Sequence, residues 1–317
     1  MSLTGNVGRV AKLSREFLPA ALNQRVACLR IKDGVDIDKA FLFNLLNSDY
    51  FEQQCISASK GVAQKNMSTE WLKEYEIPIF SLERQRLIAG ILDKTTELIS
   101  LRKQQLAKLD ELVKSRFVEL FGGIHDSVHY PYVTIDSFAT VKSGGTPDRG
   151  TPEYWENGTI RWVKTTELQN CIIEDTEEKI TELAMNNSSA KLIPAASIII
   201  AMYGQGKTRG MTGYLAVEST TNQACACILP SKSVNQKYLW SYMMLSYDKL
   251  RDMAKGGNQP NLNVGIIKAF PVLMPPMQLQ EQFATFVEQT DKSKFAVQQS
   301  IEKLETLKKS LMQQYFG

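Results

Sequence analysis

Residues 82–121 read LERQRLIAGILDKTTELISLRKQQLAKLDELVKSRFVELF, and this stretch decides the fold. Lys, Glu, Gln and Arg fill most of the space between apolar residues that recur every seven positions. The seventh-position residues are Leu92, Ile99, Leu106, Val113 and Leu120. The stretch contains no proline and its only glycine is Gly90, so the pattern predicts one long amphipathic helix whose seam packs against another long helix. At its usual rise per residue, such a helix is about 60 Å long.

A second copy of this stretch lies at the C-terminus. Residues 280–317 match residues 85–122 at a constant offset, 280 − 85 = 195, and have their own heptad stripe. Identical pairs include Gln85/Gln280, Lys108/Lys303, Leu109/Leu304, Leu112/Leu307, Ser115/Ser310, Phe121/Phe316 and Gly122/Gly317. The second stripe is Phe283, Thr290, Val297, Leu304 and Leu311. Two helices of equal length in one chain are predicted to pair with each other as an antiparallel coiled coil.

The segments that precede the two helices are also related. Asn23, Gln24 and Cys28 match Asn222, Gln223 and Cys227, and we align Gly5 and Gly8 with Gly210 and Gly213. At the offset of 195, Lys60, Gly61, Gln64, Asn66 and Lys73 match Lys255, Gly256, Gln259, Asn261 and Lys268. The first segment is expected to contain a helix near residues 41–50 and a short strand at residues 76–80.

The repeat is incomplete, because the mixed strands and turns expected after residue 122 have no counterpart in the first half. We therefore predict an α+β protein in which mixed α/β domains alternate with two long antiparallel helices that form a coiled coil. The predicted divisions are a partial first domain at 1–80, a long helix at 81–122, a complete second domain at 123–277 and a long helix at 278–317.

Composition narrows the class of protein. The chain has 317 residues, of which 43% are hydrophobic and 22% charged, as in ordinary proteins of two domains. It has no apolar run of membrane-spanning length and no signal-peptide pattern, so we expect a cytoplasmic protein without a membrane partner. Its five cysteines form neither a CxxC pair nor a disulfide framework and are expected to be reduced and buried. A net charge of +3 does not by itself indicate nucleic-acid binding, although a DNA-binding protein can concentrate its cations on one face.

Several short motifs follow one another in the second half of the chain. They are the run Ser143, Gly144, Gly145, Thr146, Pro147; then Glu153, Tyr154, Trp155, Ile160 and Trp162; then Tyr203, Gly204, Gly206 and Lys207; the pair Asn222, Gln223; the turn Gln259, Pro260, Asn261, Leu262; and Pro275, Pro276 before Gln280. Together with the repeat, this order resembles the specificity subunit of type I restriction-modification enzymes over nearly the whole chain. The chain departs from that family at the start of the first target-recognition domain, which we expect to be partial.

The resemblance implies a non-catalytic protein without cofactors. In this family, two target-recognition domains each read one half of a split double-stranded DNA site. The helices act as a spacer and dock methyltransferase subunits, and through them the restriction subunit. Half-sites spaced by about one DNA turn, about 34–36 Å, suit a rigid helical spacer. Self-association through the partial domain is a further expectation. The alternative that the residues leave open is a coiled-coil scaffold or dimerisation protein without DNA readout.

Candidate DNA contacts lie in the polar, glycine-rich loops. Base edges are read by hydrogen-bond donors and acceptors, whereas Lys and Arg bind phosphates. In the second half the candidates are Thr146, Arg149, Lys164, Thr165, Tyr203, Gln205, Lys207, Thr208, Arg209, Lys255, Gln259 and Asn261. The resemblance gives most weight to Tyr203, Lys207, Gln259 and Asn261. In the first half the candidates are Lys60, Gln64, Lys65 and Asn66.

Structural roles compete with these interpretations. For Asn222 and Gln223, hydrogen bonds that satisfy backbone groups inside the fold are favoured over DNA contact. Thr146 and Pro147 fit a plain turn as well as they fit a contact. The four tryptophans, Trp71, Trp155, Trp162 and Trp240, are interpreted as core residues rather than as base-stacking residues.

Other chemistry is disfavoured by the residues. Residues 201–208 end in Gly206, Lys207 and Thr208 and resemble a phosphate-binding loop, but Gly210 and Gly213 follow where such a loop would open a helix. The only histidines, His125 and His129, lack the Cys or carboxylate companions of a metal site. We therefore expect neither an ATPase nor a metal centre.

Overall fold

The computed structural model describes residues 1–61, 65–204, 206–254 and 261–317. These residues form two compact units. Unit 1 comprises Met1–Lys108 with Ser293–Gly317, and unit 2 comprises Leu109–Lys292. Each long helix contributes one end to each unit.

The described residues contain helices in both units. Their bounds are α1 Lys39–Leu46, α2 Asp49–Ser57, α3 Thr69–Glu74, α4 Leu82–Phe121, α5 Ile135–Phe138, α6 Glu182–Asn186, α7 Gln236–Leu245, α8 Tyr247–Asp252, α9 Val264–Lys268 and α10 Met277–Phe316. Short 3-10 helices lie at Arg15–Phe17, Pro152–Tyr154 and Thr165–Glu167.

The described strands all belong to unit 2. They are β1 Tyr132–Thr134, β2 Val141–Ser143, β3 Ile160–Val163, β4 Cys171–Ile173, β5 Glu178–Ile180, β6 Ile198–Ala201, β7 Thr212–Leu215, β8 Thr220–Thr221, β9 Cys225–Ile228 and β10 Pro271–Leu273. A five-stranded sheet has the order β2-β9-β6-β7-β4, a three-stranded sheet has the order β5-β3-β8, and β1 pairs with β10. The prediction of mixed α and β structure with two long helices is confirmed.

The two long helices pair antiparallel within each unit. In unit 1, Lys103 of α4 forms an ion pair of 2.8 Å with Glu305 of α10. In unit 2, the rings of Phe117 and Phe283 meet edge to face, with their centroids 5.3 Å apart. The predicted stripes are buried or half-buried throughout both helices. The polar stripe residue Thr290 avoids an unpaired hydroxyl by donating to the Phe286 carbonyl at 2.9 Å.

A buried glutamine fixes the start of each long helix. The Gln85 side chain is fully buried; its Oε1 accepts a hydrogen bond from the Asp38 amide at 2.8 Å and its Nε2 donates to the Phe80 carbonyl at 2.7 Å. Gln280 repeats both bonds: its Oε1 accepts from the Asn235 amide at 2.9 Å and its Nε2 donates to the Pro275 carbonyl at 2.7 Å. We call this pair of bonds the glutamine clasp.

The clasp works together with helix caps. Asp38 and Asn235 are the N-cap residues of α1 and α7, and their side chains accept hydrogen bonds from amides in the first turn. One amide side chain therefore joins the start of a long helix to the start of a short one in each unit. The aligned Gln85 and Gln280 carry out the same structural role.

The structure corrects part of the aligned repeat. The Asn turn is confirmed, because the Val26 amide donates to the Asn23 carbonyl at 3.0 Å and the Cys225 amide donates to the Asn222 carbonyl at 3.2 Å. The glycine alignment is wrong. The Gly8 amide bonds the Ser2 carbonyl at 3.0 Å and the Gly210 amide bonds the Ala201 carbonyl at 2.9 Å, so Gly8 corresponds to Gly210.

The physical reason is a difference in loop length. Gly8 follows Ser2 by six positions (8 − 2 = 6), whereas Gly210 follows Ala201 by nine (210 − 201 = 9). Both glycines have positive φ, +83° and +86°, and a Cβ added to Gly8 would meet the Cys55 side chain of α2. The conserved geometry is thus a close approach of a turn to a helix, which requires glycine.

The prediction of a strand at residues 76–80 is wrong. The matching residues in unit 2, β10, form a strand because β1 pairs with them in antiparallel register. The described residues of unit 1 contain no counterpart of β1, so residues 76–80 remain extended without a ladder. The expected helix near 41–50 is present as α1 and α2, which are separated at Ser48, the N-cap of α2.

The cysteines are all free thiols, as predicted, but they are not all buried. Cys55, Cys225 and Cys227 are buried, whereas Cys28 is exposed. Burial, reinforced by Glu52, raises the pKa of Cys55 to about 11, and burial raises the pKa of Cys227 to about 12. These buried thiols are therefore poor nucleophiles at neutral pH.

His125 of unit 2 is held neutral by its surroundings. Burial first, and then the nearby charge of Lys249, lower its pKa from 6.5 to about 4. Its Nδ1 lies 3.4 Å from the Tyr242 hydroxyl, which also donates to the Ile124 carbonyl at 3.1 Å. The imidazole thus packs against the aromatic core of unit 2 in its uncharged form.

We expect Gln280→Met to destabilise unit 2. The substitution leaves the Asn235 amide and the Pro275 carbonyl without their partner, and each unsatisfied buried group costs about 1–3 kcal/mol. Urea unfolding followed by circular dichroism measures the loss. Gln278→Met, an exposed change in the same turn, is the matched control. Equal midpoints for the two variants would contradict the clasp.

We expect unit 2 to lose stability as the pH falls from about 6.5 towards about 4. The unfolded chain protonates His125 near its ordinary pKa of 6.5, whereas the folded chain resists protonation down to about 4, so acid favours unfolding in this window. His125→Asn should flatten this part of the stability-pH curve, which urea unfolding at a series of pH values measures. Parallel curves for His125→Asn and the parent chain would refute the assignment.

Candidate nucleic-acid interface

Four loops of unit 2 meet at one edge of the sheets. Strands β2 and β6 both run antiparallel to β9, and β3 runs parallel to β8, so the ends of β2, β3 and β6 lie beside the turn that enters β9. We call this surface the loop edge. It comprises residues 144–149, 164–167, 202–204 with 206–211, and 222–224.

Backbone hydrogen bonds hold the loop edge together. The Gly145 amide donates to the Thr221 carbonyl at 2.8 Å, the Asn222 amide donates to the Val163 carbonyl at 3.0 Å, and the Met202 amide donates to the Ala224 carbonyl at 2.8 Å. The first bond joins a loop to β8, and the other two join the end of β3 and the loop after β6 to the turn that follows β8. Most of the predicted contacts in the described second half therefore occupy one surface.

The double glycine explains the tight path of the first loop. A Cβ on Gly144 would overlap the Thr221 side chain and backbone, and a Cβ on Gly145 would overlap Ser189. Immediately beyond, the Thr146 hydroxyl donates to Oε1 of Gln223. Thr146 and Gln223 are thus a side-chain pair that bridges two loops.

Arg149 lies on a support of two tryptophans. Its guanidinium is 3.8 Å from the ring centroid of Trp155 and 4.7 Å from that of Trp162, and it pairs with the Glu178 carboxylate. The Trp162 indole donates to the Gly145 carbonyl at 3.0 Å. Trp162 and Trp240 are buried as predicted, and Trp155 is half-buried beneath the arginine.

Lys164 forms ion pairs with two carboxylates. Its Nζ lies 2.8 Å from Glu177 and 2.9 Å from Glu178. These hydrogen bonds, with that to Glu177 the larger, raise the pKa of Lys164. Burial works to raise the pKa of Glu178, but the bonds from Arg149 and Lys164 outweigh it and the pKa is lowered. Glu178 thus joins the two predicted cations.

The glycine-rich loop of residues 206–211 is held by α8. The Arg251 guanidinium donates to the Arg209 carbonyl at 2.7 Å and to the Gly206 carbonyl at 3.0 Å, and the Tyr247 hydroxyl donates to the Lys207 carbonyl at 2.7 Å. The backbone is fixed while the Lys207 side chain is exposed. In the described residues β7 follows this loop and no helix does, which agrees with the expectation that it is not a nucleotide-binding loop.

The remaining predicted residues are distributed as follows. Thr165 begins the 3-10 helix after β3, Tyr203 is 41% exposed, and Thr208 is half-buried. Asn261 is half-buried next to Leu262, whose amide donates to the Met202 carbonyl at 3.0 Å. Gln64, Gln205, Lys255 and Gln259 lie outside the described residues.

Unit 1 has its own small version of this loop arrangement. The Met67 amide donates to the Leu3 carbonyl at 2.9 Å, as the Leu262 amide does to Met202. Lys60 and Asn66 exchange two backbone hydrogen bonds of 2.9 Å. The side chains of Lys60 and Lys65 are exposed.

The asparagine of the repeated turn differs between the units. In unit 1, Oδ1 of Asn23 accepts a hydrogen bond from the Arg25 amide at 2.7 Å, which is the structural role expected for this residue type. In unit 2, Oδ1 of Asn222 is buried and has no hydrogen-bond partner among the described residues. The expectation that Asn222 satisfies a backbone group through its side chain is therefore wrong.

Sequence reasoning missed the residues that position the site. Glu178 lies on β5, and Tyr247 and Arg251 lie four residues apart on one face of α8, which is the only local signal they carry. Their partners are distant in sequence, 251 − 209 = 42 residues for the bond to Arg209. Among the described residues, no group of three or more His, Cys, Asp or Glu side chains is arranged to hold a metal ion.

The sequence of the chain matches the model of a known protein family. The family model described as type I restriction modification DNA specificity domain matches residues 1–111 and 128–308, and the chain belongs to that family. The match includes residues of both repeated halves and most of each long helix.

Individual relatives agree with the family. The chain is 26% identical over 250 residues to the type I restriction enzyme EcoR124I/EcoR124II specificity subunit of Escherichia coli. This alignment covers 72% of this chain and 59% of that protein. It is 24% identical over 289 residues to the type I restriction enzyme MjaIX specificity subunit of Methanocaldococcus jannaschii. That alignment covers 85% of this chain and 66% of the relative. The chain thus spans about three-fifths to two-thirds of the length of these relatives.

Solved structures show the same fold. A chain from a type I restriction-modification system studied for complex assembly and conformational transition aligns with a TM-score of 0.60 at 16% identity, covering 87% of this chain and 70% of that one. The S subunit of a type I restriction-modification system from M. genitalium aligns with a TM-score of 0.58 at 16% identity, and the alignment covers 89% of this chain and 73% of that subunit.

We expect Arg251→Met to loosen the loop of residues 206–211. The substitution removes two donors to loop carbonyls, so the loop amides should exchange their hydrogens faster, whereas the amides of α7 should be unaffected. Hydrogen-deuterium exchange with mass spectrometry measures the change. Lys249→Met, on the same helix, is the control, and equal exchange in the two variants would show that Arg251 does not hold the loop.

Proposed function

We propose that this chain is a specificity subunit that reads double-stranded DNA through the loop edge of unit 2. The observation that carries the proposal is the convergence of the predicted contact residues on one edge in a chain of the DNA specificity domain family. This membership favours DNA recognition over the coiled-coil scaffold, because a scaffold needs the helices but not the repeated polar loops.

The chemistry of the loop edge suits a DNA surface. Lys207 and Arg149 supply cations for phosphates, and about half of the Arg149 side chain is exposed (52%). Tyr203, Thr146 and Gln223 supply donors and acceptors of the kind that read base edges. The buried Oδ1 of Asn222 is an acceptor for which a bound water or base amine would be a suitable donor.

The acidic residues limit non-specific binding in this proposal. Glu177 and Glu178 neutralise Lys164, and Glu178 also pairs with Arg149, so the edge is not a uniformly positive patch. A DNA phosphate that approaches Arg149 must compete with Glu178 for the Arg149 guanidinium. Binding then depends more on the fit of the loops to a sequence than on charge alone.

The long helices have a separate role in the proposal. Each target-recognition domain would read a half-site, the helices would set the spacing, and their exposed faces would dock methyltransferase subunits, through which the restriction subunit joins. The domain divisions at 1–80, 81–122, 123–277 and 278–317 belong to this proposal, as does self-association through the first domain.

The proposal includes no chemical step for this chain. Its relatives are named specificity subunits of restriction enzymes, and cleavage or methyl transfer would belong to the other subunits. We also propose that the protein acts in the cytoplasm, where its DNA substrate lies. None of the helices in the described residues combines the length and hydropathy that crossing a bilayer requires.

The proposal is tested by selecting random duplex DNA with the full chain, reconstituted with candidate methyltransferase subunits. We expect enrichment of a short sequence motif. Lys207→Gln should weaken binding to all sequences about equally and reduce the dependence of log K on log salt by about 1, because one phosphate contact is lost. Binding is measured by fluorescence anisotropy at several salt concentrations.

Lys232→Gln is the matched control, because Lys232 is exposed at the opposite end of β9 from the loop edge. It should retain the parent salt dependence. Absence of enrichment at every salt concentration would refute DNA readout. If a motif is enriched but Lys207→Gln leaves the dependence of log K on log salt unchanged, Lys207 does not contact a phosphate.

A further inference from the structure

Equivalent segments precede the two long helices, but they have different neighbours. At the offset of the clasp, 280 − 85 = 195, residues 75–79 of unit 1 correspond to residues 270–274 of unit 2. In unit 2 this segment contains β10 and is covered by β1. The Met274 amide donates to the Pro131 carbonyl at 2.9 Å, and the Ile135 amide donates to the Phe270 carbonyl at 3.2 Å.

The matching edge in unit 1 is open. The described residues contain no strand opposite residues 76–78, and Ile79 is 67% exposed. Tyr75 is only half-buried, whereas its counterpart Phe270 is completely buried. In unit 2 the segment that contains β1 covers Phe270, whereas no described strand lies opposite the residues that follow Tyr75.

A pocket lies directly beside this edge. Its volume is about 580 Å³, and its lining includes Tyr50, Phe51, Trp71, Tyr75 and Phe316. In unit 2 the counterpart of Phe316 is Phe121, and residues that precede β1 cover it. The Tyr130 ring lies 6.2 Å from the Phe121 ring, and the Ser127 hydroxyl donates to the Phe121 carbonyl.

The sequence of the open edge is compatible with strand pairing. In an antiparallel ladder, hydrogen-bonded pairs alternate with non-hydrogen-bonded pairs. The bonds of Met274 and Ile135 place Val272 in the hydrogen-bonded set and Leu273 in the other set. Pro78 corresponds to Leu273, so its missing N–H is not needed, and the neighbouring Ile77 and Ile79 can both donate.

We propose that residues 75–79 and the adjacent aromatic pocket accept an extended segment of a partner chain as an added antiparallel strand. The segment would have the chemistry of Tyr130–Ile135 of unit 2: an aromatic residue for the pocket and a β-branched residue opposite Ile77. Such pairing derives affinity from main-chain hydrogen bonds and specificity from alternate side chains.

Charge adds one requirement on the partner segment. Glu76 replaces Pro271, which faces Thr134 of β1 in unit 2. A basic residue facing Glu76 would therefore bind better than the threonine, since opposite charges on directly opposed residues stabilise a strand pair. The partner segment is thus apolar and aromatic, with a cation at this one position.

The test uses the full chain and a peptide that copies residues 129–136 of its own sequence. We expect saturable binding by fluorescence anisotropy and slower hydrogen exchange at the Ile77 and Ile79 amides. N-methylation of the peptide at Val133 should weaken binding by about tenfold or more, because it removes a ladder donor. N-methylation at Thr134, whose N–H faces away from the edge, is the matched control. Replacing Thr134 of the peptide with Lys should tighten binding.

Three results would overturn the proposal. The first is an absence of saturable binding at millimolar peptide. The second is equal binding of the two N-methylated peptides, which would mean that the peptide fills the pocket without forming a ladder. The third is protection of the Ile77 amide that rises with chain concentration alone, which would assign the edge to a second copy of this chain.

Discussion

An isolated helix of forty residues gains little stability in water from its own hydrogen bonds, so each long helix depends on burying its apolar stripe. The structure meets this constraint by enclosing a helix end in each unit. Phe316 of α10 packs on Phe41 of α1 with the ring centroids 5.5 Å apart, and Phe121 of α4 packs on Tyr238 of α7 at 5.6 Å. The glutamine clasps then fix the short helices against the long ones, and the remaining elements assemble on that base.

The loop edge is held by the buried strands and by α8. Every residue of β6 and β9 is inaccessible to solvent, whereas Tyr203 in the loop after β6 and Gln223 in the turn before β9 are exposed. Hydrogen bonds from Arg251 and Tyr247 on α8 reach only backbone carbonyls of the loop, so the side chains there can change without loss of the support. A scaffold fixed through the main chain permits different side chains, and hence different recognition, on one fold.

The sequence predicted the elements whose signals are local. Heptad spacing predicted the two long helices, α4 and α10, and the Asn turn aligned correctly because its hydrogen bond lies within the turn. The glycines were misaligned because a loop of different length carries no local marker of its register. Residues 76–80 have the composition of a strand, but a strand needs a neighbour, and composition cannot supply one. Arg251 and Glu178 were missed because their partners are brought near only by the tertiary fold.

The open edge before α4 also bears on how the chain behaves at high concentration. Unpaired strand edges tend to pair with one another edge to edge and lead to aggregation. Glu74 and Glu76 lie at this edge, and two copies approaching each other would bring like charges together. The counterparts in unit 2 are Ala269, Pro271 and Leu273, none of which is charged, and there the edge is covered. The unit with the open edge is therefore the one whose edge carries charges that oppose self-stacking, and these favour solubility.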